Sequence, residues 1–287
     1  MPPRLRRTLI TTSAVATFLV LAGATYQGVA TALERRQFPH PGRLVDVGGH
    51  QLHLHCVGDG SPTVLLEAPA IGMSAAWGWV QPAVAEVTRV CSYDRAGLGW
   101  SEAGDVPFDP ALVPEQLRAL VETAGERGPF VLAGQGLGAV FATVYAQRFG
   151  GDLAALVLID APSPPESGAP LDEVTRLVNV SPWLARAGVL RTTGLLSANA
   201  RGLPQPAAGA LRTFLNRPDH LTRGGRELAR WDEALALAGA TPLDNRMLVI
   251  RVGTRGAEQV AFLNNQDDAG VAVARIVEAV HVARLGR

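Results

Sequence analysis

The sequence predicts an α/β fold, a doubly wound and mostly parallel sheet, with a helical insertion and an N-terminal membrane helix. Short continuous apolar runs such as "PTVLLEAP", "FVLAG" and "ALVLIDA" are typical of strands buried on both faces of a sheet. Segments with helical spacing separate these runs, which implies parallel strands joined by right-handed crossovers. A chain of 287 residues is long enough to bury the core of one large domain of this kind.

Residues 1–33 differ from the rest of the chain. The arginines of "MPPRLRR" precede an uncharged segment from Thr8 to Leu33, long enough to cross a bilayer, which needs about 20 residues. Ala22-Gly23-Ala24 also fits the cleavage rule of a secretory signal, and a buried helix of a soluble protein is a third alternative. For an anchor, the positive charge predicts a cytoplasmic N-terminus and an extracytoplasmic domain. With a cleaved signal the domain is secreted.

Residues 34–161 are predicted to form the first part of the α/β core. "LERRQFPHPG" is typical of a polar linker, and "RLVDVGGHQLHLHCVGDG" predicts a hairpin that turns at Gly48-Gly49. "AAWGWVQPAVAEV" has helical character and "RVCSYD" is typical of a strand. The hairpin precedes the central strand "PTVLLEAP", and the helical segment and the strand "RVCSYD" follow it.

Residues 162–244 predict an insertion made of helical pieces broken by Pro and Gly, and residues 245–287 predict the shortened last part of the core. In the insertion, Leu228, Trp231 and Leu235 form one amphipathic stripe. After it, "RMLVIRVG" is typical of a strand and "VAVARIVEAVHVARL" of a terminal helix.

Composition argues against several partners and cofactors. The chain carries 26 basic and 26 acidic residues and no long basic run after its N-terminus, so nucleic-acid binding is not expected. There is no CxxC motif, and we assign neither a metal site nor a cofactor. Cys56 and Cys91 lie in predicted strands, where a disulfide requires an exported domain and neighbouring strands.

The turn Gly134-Gln135-Gly136-Leu137-Gly138 lies between a predicted strand and a helix, and it has two interpretations. With Ala139 it satisfies the dinucleotide fingerprint, and Asp160 lies near the place of a ribose-binding acid. NAD or FAD could then bind at the helix N-terminus. Against this interpretation, such a fingerprint usually opens its sheet, whereas several predicted strands come first here.

A second interpretation follows from three motifs in order. "VLLEAPAIGMSAAWGW", "SYDRAGLGWSE" and "LAGQGLGA" resemble the α/β-hydrolase superfamily, especially bacterial membrane-anchored members similar to esterases and proline-iminopeptidase-like enzymes. The similarity runs from about Gln37 to Gly253 and implies the α/β-hydrolase fold, with the helical insertion as a lid. The family's strand order would place the two cysteine strands side by side, which implies a disulfide in an exported protein.

In that family the strand-to-helix turn is the nucleophile elbow, G-x-S-x-G. The resemblance makes Gly134 and Gly138 the flanking glycines, Gln135 the variable position and Gly136 the nucleophile position. Glycine has no side chain and cannot form an acyl-enzyme. The resemblance therefore implies an elbow whose geometry survives without its nucleophile.

The rest of the expected catalytic machinery also departs from the family pattern. None of the six histidines lies in a loop after the last predicted strand, where the family's base belongs. Asp160 is a candidate for the acid, and the weaker candidates are Glu258, Asp267 and Asp268. His53 and His55 share a strand face, but as a metal site they lack a third ligand.

The oxyanion side is altered as well. After the third strand, members of the family carry a motif similar to "EAGxGG", whereas this chain has "EAPAIG" over residues 67–72. Ala68, Pro69 and Ala70, with Leu137 after the elbow, would form the oxyanion site and cleft. Proline removes one backbone donor, and one such donor is worth about 2.7–4 kcal/mol in the barrier.

Three hypotheses follow. The first is a degenerate α/β-hydrolase that cannot use the Ser-His-acid mechanism and binds a small apolar ester- or amide-like ligand. The second is an active esterase or peptidase with a displaced nucleophile, for which Ser101 and Ser74 are the nearest candidates in cleft-forming loops. The third is a dinucleotide-binding protein that uses Gly134–Gly138.

Overall fold

The sheet follows the predicted architecture. The computed structural model describes residues 2–162, 171–253 and 262–286. Its strands are β1 (Arg43–Asp46), β2 (Gln51–Val57), β3 (Thr63–Glu67), β4 (Val90–Tyr93), β5 (Phe130–Gln135), β6 (Leu153–Ile159) and β7 (Leu248–Val252). They form one sheet in the order β1-β2-β4-β3-β5-β6-β7. The first two strands and their junction with β4 are antiparallel, and the remaining neighbours are parallel. The predicted fold class is confirmed.

Helices cover both faces of the sheet. They are α1 (Pro3–Gln37), α2 (Val80–Ala85), α3 (Val113–Ala124), α4 (Leu137–Phe149), α5 (Leu171–Arg186), α6 (Val189–Thr193), α7 (Ala207–Phe214), α8 (Pro218–Ala229), α9 (Trp231–Gly239) and α10 (Gln266–Leu285). Helices α5 to α9 follow β6 and precede β7, where a helical insertion was predicted. The boundary at 162 adjoins residues 163–170, which lie outside the described residues, and the domain boundaries stay predictions.

The central strands are buried because alternate side chains enter two different cores. Leu65 of β3 packs with α3 and α4 on one face. Val64 and Leu66 pack with α2 and α10 on the other face. This two-sided burial explains why the central strands are continuous apolar runs rather than alternating ones.

The N-terminal hairpin turns where two glycines were predicted to turn it. Gly48 and Gly49 have φ values of 99° and 101°, which side chains disfavour. In the second strand Cys56 lies directly opposite Cys91 of β4, and a disulfide joins them. The disulfide therefore ties the hairpin to the central sheet.

One local prediction was wrong. The predicted linker "LERRQFPHPG" is helical up to Gln37, because Glu34 forms an ion pair with Arg191 and no proline interrupts the chain before Pro39. The segment "AAWGWVQPAVAEV", predicted to have helical character, lies in a 3₁₀ turn over Ser74–Trp77 and then in the short helix α2.

The sheet ends at β7 within the described residues. After Gly253 the described chain resumes at Phe262 and enters α10 at Gln266. Helix α10 packs on the same face as α2. The shortened last part of the core stays a prediction.

Candidate functional site

The turn after β5 has the geometry of a strand-to-helix elbow. Gly136 lies between the last residue of β5 and the first residue of α4, with φ 55° and ψ −121°. Its N–H donates a hydrogen bond of 2.9 Å to the carbonyl of Ile159, at the end of β6. Glycine reaches this conformation at little steric cost, whereas a side chain makes it strained. The apex therefore keeps its backbone shape and presents no nucleophile.

The flanking glycines allow close packing of the backbone. A Cβ added to Gly134 would lie 2.4 Å from the carbonyl oxygen of Gly138. One added to Gly138 would lie 2.4 Å from the carbonyl oxygens of Glu67 and Ala68. A side chain at either position would therefore clash with the backbone of the elbow or of the loop after β3.

The loop after β3 lies against this elbow and is closed to solvent. Ala68, Pro69 and Ala70 are buried, as are Gln135 and Leu137 at the elbow. The guanidinium of Arg95 donates to the carbonyl oxygens of Ala68 (2.6 Å) and Pro69 (2.9 Å).

Side chains from the core and the insertion fill the region above the loop. Ala70, Ile71 and Leu137 belong to one apolar cluster that includes Phe214 and Leu221 of the insertion. Ile71 has a φ of 59°, which is strained for a β-branched residue. Its Cγ1 atom would lie 2.9 Å from a Cβ at Gly224 of α8, so the insertion fits tightly over this residue.

The candidate acids lie in three places. Asp160 follows β6 with a φ of 47°, and its N–H donates to the carbonyl of Val252, 2.8 Å away, which joins β6 to β7. Asp267 and Asp268 lie in the first turn of α10, where Asp268 accepts a hydrogen bond from the N-cap residue Asn265. Glu258 lies outside the described residues. The role of Asp160 as an acid stays a prediction.

None of the six histidines lies in the connection between β7 and α10, where the family's catalytic base was expected. His40, His50, His53 and His55 belong to the N-terminal hairpin and the segment before it, and His220 belongs to α8. His281 lies near the end of α10 and is exposed. Residues 253–265, between β7 and α10, include no histidine.

Sequence reasoning missed a buried polar cluster at the loop after β4. Asp94 is fully buried and accepts hydrogen bonds from His53 Nδ1 (3.0 Å) and from the backbone N–H groups of Ser74 (2.6 Å) and Trp100 (2.9 Å). Burial raises the pKa of Asp94, but the charge of His53 and these hydrogen bonds outweigh it and hold that pKa below its ordinary value. An aspartate directly after the apolar strand "VCSY" was the available signal in the sequence.

This cluster contains a serine, a histidine and an aspartate, but they are not arranged as a catalytic triad. Ser74 Oγ lies 3.4 Å from His53 Nδ1, the same nitrogen that contacts Asp94. A working triad uses one ring nitrogen for the acid and the other for the serine. His53 Nε2 is buried and has no hydrogen-bond partner among the described residues. Ser101 Oγ donates to the backbone carbonyl of Asp94, 2.6 Å away, as a turn residue does.

A second buried network connects the core to the insertion. Arg95 donates to Glu67 Oε1 at the end of β3 (2.6 Å) and to both carboxylate oxygens of Glu227 on α8 (2.8 Å each). Tyr93 donates to Glu67 from the other side. Burial raises the pKa of Glu67, and Arg95 and Tyr93 partly offset this effect. The network holds α8 against the loop after β3.

His220 is buried where α8 meets the core. Its Nδ1 accepts a hydrogen bond from the N–H of Gly99 (3.1 Å), so its Nε2 is the atom that donates to the carbonyl of Ile71 (2.9 Å). Burial lowers the pKa of His220 to about 4. The ring is therefore neutral at pH 7 and joins two core loops to the insertion.

The described residues contain one group of ligand atoms close enough to share a metal ion. Cys56, Cys91 and Glu126 place their ligand atoms within 4.8 Å of one another. The disulfide uses both sulfur atoms, and Glu126 forms an ion pair with Arg89 (2.7 Å). This group is therefore a structural crosslink beside an ion pair.

Comparisons with known proteins agree with this architecture. An uncharacterized protein of Schizosaccharomyces pombe is 29% identical over 187 residues, which are 54% of this chain and 35% of that protein. An uncharacterized vacuolar membrane protein of Saccharomyces cerevisiae is 29% identical over 130 residues, 39% of this chain and 20% of that protein. The chain thus spans about a third or less of these relatives.

A solved structure and a family model cover more of the chain. The enol-lactonase from Burkholderia xenovorans superimposes with a TM-score of 0.59 at 15% identity, covering 83% of this chain and 100% of that one. At this identity the superposition shows the fold alone. The model of the "Alpha/beta hydrolase family" matches residues 51–285. The chain belongs to the alpha/beta hydrolase family.

Proposed function

We propose that this chain is a membrane-tethered member of the family that has lost Ser-His-acid hydrolysis and serves as a binding protein. The observation that carries the proposal is the elbow: Gly136 occupies its apex with φ 55° and ψ −121° and has no group to attack a carbonyl. Burial of the neighbouring loop after β3 supports it, because a substrate carbonyl would have to displace packed side chains.

The test is labelling with a serine-directed fluorophosphonate probe, together with turnover of simple aryl esters. The wild-type chain should give no adduct and no turnover above buffer. The Gly136→Ser variant restores a hydroxyl at the apex without supplying a base, and its turnover should also stay at the level of buffer. An adduct mapped to any serine of the wild-type chain, or ester turnover by the wild-type chain, would refute the loss of catalysis. Ester turnover by Gly136→Ser alone would show that the nucleophile is the only missing group.

An active hydrolase with a displaced nucleophile is the second candidate, favoured only by the contact between Ser74 and His53. Activity at this place requires the His53 ring to turn so that Nε2 faces Ser74, and it requires solvent to reach a serine that is 4% exposed. If the wild-type chain hydrolyses an ester, Ser74→Ala should abolish that activity, whereas Ser101→Ala should leave it. Equal activity in all three proteins would exclude Ser74 and Ser101.

A small apolar ligand was expected in the cleft under the insertion. In the described residues this space contains packed side chains of the core and the insertion. Binding there requires the insertion to move away, against the ion pairs that Arg95 makes with Glu67 and Glu227.

Dinucleotide binding at Gly134–Gly138 is tested separately. Titration with NAD or FAD should give no saturable change of tryptophan fluorescence at millimolar ligand.

The membrane tether is α1. This helix is long and apolar enough to cross a bilayer, with a mean hydropathy of 1.6 over its best window. Its first residues carry Arg4, Arg6 and Arg7, which supports a cytoplasmic N-terminus and an extracytoplasmic domain. A relative described as a vacuolar membrane protein supports membrane association. Protease treatment of intact cells and of sealed inside-out vesicles tests the topology. The domain should be cleaved in the cells and protected in the vesicles.

A further inference from the structure

The outer face of the insertion lies beside the place where α1 first meets the folded domain. Residues 2–22 are exposed along their whole length, and Gly23 is the first partly buried residue of α1. A Cβ at Gly23 would lie 2.1 Å from the carbonyl oxygen of Ala187, directly after α5. A Cβ at Gly188 would likewise lie close to the carbonyl oxygen of Gly23 and to the ring of Tyr26. The end of α5 is thus packed on α1.

The length of free helix sets the height of this contact above the membrane. The uncharged part of the free helix begins at Thr8, after the arginines that stay outside the hydrocarbon, and its 15 residues up to Ala22 span about 22 Å at 1.5 Å per residue. The hydrocarbon core of a bilayer is thicker, about 30 Å. If α1 crosses the membrane, the end of α5 therefore lies at or below the level of the lipid headgroups, without any free linker between them.

The part of α5 nearest this level carries exposed apolar side chains. Leu177, Val180 and Trp183 follow at intervals of three residues and are 40%, 50% and 71% exposed. Tyr26 of α1, close to Gly188, is 49% exposed. Tryptophan and tyrosine prefer the interface between hydrocarbon and headgroups, because their rings are apolar and their N–H or O–H groups are polar.

Basic residues accompany this apolar face. The segment from Arg176 to Pro218 contains six arginines and no aspartate or glutamate. Arg186 lies over the Trp183 ring, with its Cζ 5.2 Å from the ring centroid. Apolar and basic residues together on one exposed helix face are typical of helices that lie in the interface of a phospholipid bilayer.

A groove between α5 and α8 opens on the same face. Its volume is about 320 Å³, and Val178, Pro182 and Leu221 contribute apolar lining while Arg186 and Arg226 contribute guanidinium groups. Among the described residues neither arginine has an ion-pair partner. Both are exposed, so an anionic group at the groove can reach them.

We infer that this face of the insertion, defined by Leu177, Val180, Trp183, Arg186 and Arg226, docks on the phospholipid of the leaflet from which α1 emerges. The apolar side chains enter the interface, and the two arginines bind lipid phosphate at the groove. The inference rests on the proposed membrane crossing of α1. It makes the insertion a lipid-facing surface instead of a lid that opens into solvent.

The test uses the full chain in phosphatidylcholine nanodiscs whose acyl chains are brominated near the headgroup, because bromine quenches tryptophan fluorescence at short range. Quenching is measured against nanodiscs without bromine. Trp77 and Trp231 are buried in the domain and Trp79 and Trp100 are half-buried, so Trp183, which is 71% exposed, should dominate the difference. The Trp183→Phe variant should lose most of the bromine-dependent quenching.

A matched control places an exposed tryptophan at the opposite edge of the sheet. Val282 is 44% exposed near the end of α10, where Arg284 donates to the carbonyl of Ser61 just before β3. In the Trp183→Phe background, Val282→Trp should restore emission but not quenching. Equal quenching with and without Trp183, or strong quenching at position 282, would overturn the docking.

The arginines are tested through the lipid charge. Replacing a third of the lipid with brominated phosphatidylglycerol should increase quenching in the wild-type chain, and Arg186→Gln with Arg226→Gln should remove this increase. Arg275→Gln, on α10, is the control and should keep it. The same increase of quenching in the double variant would show that these two arginines do not bind the lipid phosphate.

Further outcomes separate the inference from the proposals made above. Release of the chain from the nanodiscs by alkaline carbonate would refute the membrane crossing of α1 and the docking together. Retention of the chain without quenching of Trp183 would refute only the docking, as would a dimer per nanodisc that shields Trp183. Ester hydrolysis would refute the proposed loss of catalysis and leave the docking untouched.

Discussion

The turn after β5 and the loop after β4 lie at the same edge of the sheet, yet they differ in what they retain. The turn keeps its backbone shape, with Gly136 at the apex, but offers no side chain for chemistry. The loop keeps a dense set of polar contacts, because Asp94 accepts three hydrogen bonds and Arg95 contacts two glutamates. Within one edge of the sheet, one turn thus carries no reactive side chain while its neighbour carries the contacts that stabilise the fold.

The largest expected effect comes from breaking the loop after β4. Arg95→Met leaves Glu67 and Glu227 buried without their cation, and it should reduce the free energy of unfolding by about 3–5 kcal/mol. Urea denaturation in detergent measures the change. Arg275→Met removes an exposed ion pair with Glu278 and should cost no more than about 0.5 kcal/mol. A loss below about 1 kcal/mol for Arg95→Met would mean that the network does not hold α8 in place.

Acidification tests the contact of His220 with the two core loops. The folded state keeps this ring neutral, with a pKa lowered from 6.5 to about 4, whereas the unfolded chain protonates it near pH 6.5. The unfolded state thus binds more protons, so stability falls as the pH drops from 6.5 to 4, by about 3 kcal/mol in total. His220→Gln should flatten the denaturation midpoints over this range. The same pH dependence in the variant would exclude His220 as its source.

A smaller effect is expected at the glycines that flank the elbow. Gly138→Ala places a Cβ 2.4 Å from two backbone carbonyl oxygens, which cannot move independently, and should destabilise the protein by about 1–3 kcal/mol. Gly239→Ala is the matched control, since no atom lies within 4 Å of its added Cβ. Denaturation midpoints that shift equally in the two variants would contradict the close packing at Gly138.

The smallest expected effect is at the apex itself. Gly136→Ala forces a side chain into a φ of 55° and ψ of −121°, which should cost about 1–2 kcal/mol. Thermal melting in detergent should therefore show a modest decrease. A stabilised Gly136→Ala variant would show that the turn does not require this conformation in solution, and it would weaken the comparison with the loop after β4.

Local signals explain why much of the fold was predictable. "PTVLLEAP" and "FVLAG" are apolar at every position because their strands are covered on both faces, and Gly48-Gly49 marks a turn that needs positive φ. The end of α1 was predicted wrongly, because its last turn depends on the ion pair of Glu34 with Arg191, 157 positions away. A contact of this range leaves no trace in neighbouring residues.

The candidate site divides in the same way. The sequence by itself determined that position 136 has no side chain and that no histidine follows β7 before α10, since both are statements of composition. Only the tertiary structure decided that His53, Ser74 and Asp94 meet, and that Glu227 of the insertion reaches Arg95. It also decided that α5 lies beside α1. These contacts join segments far apart in the chain, and their geometry is set by how helices pack on the sheet rather than by any local pattern of residues.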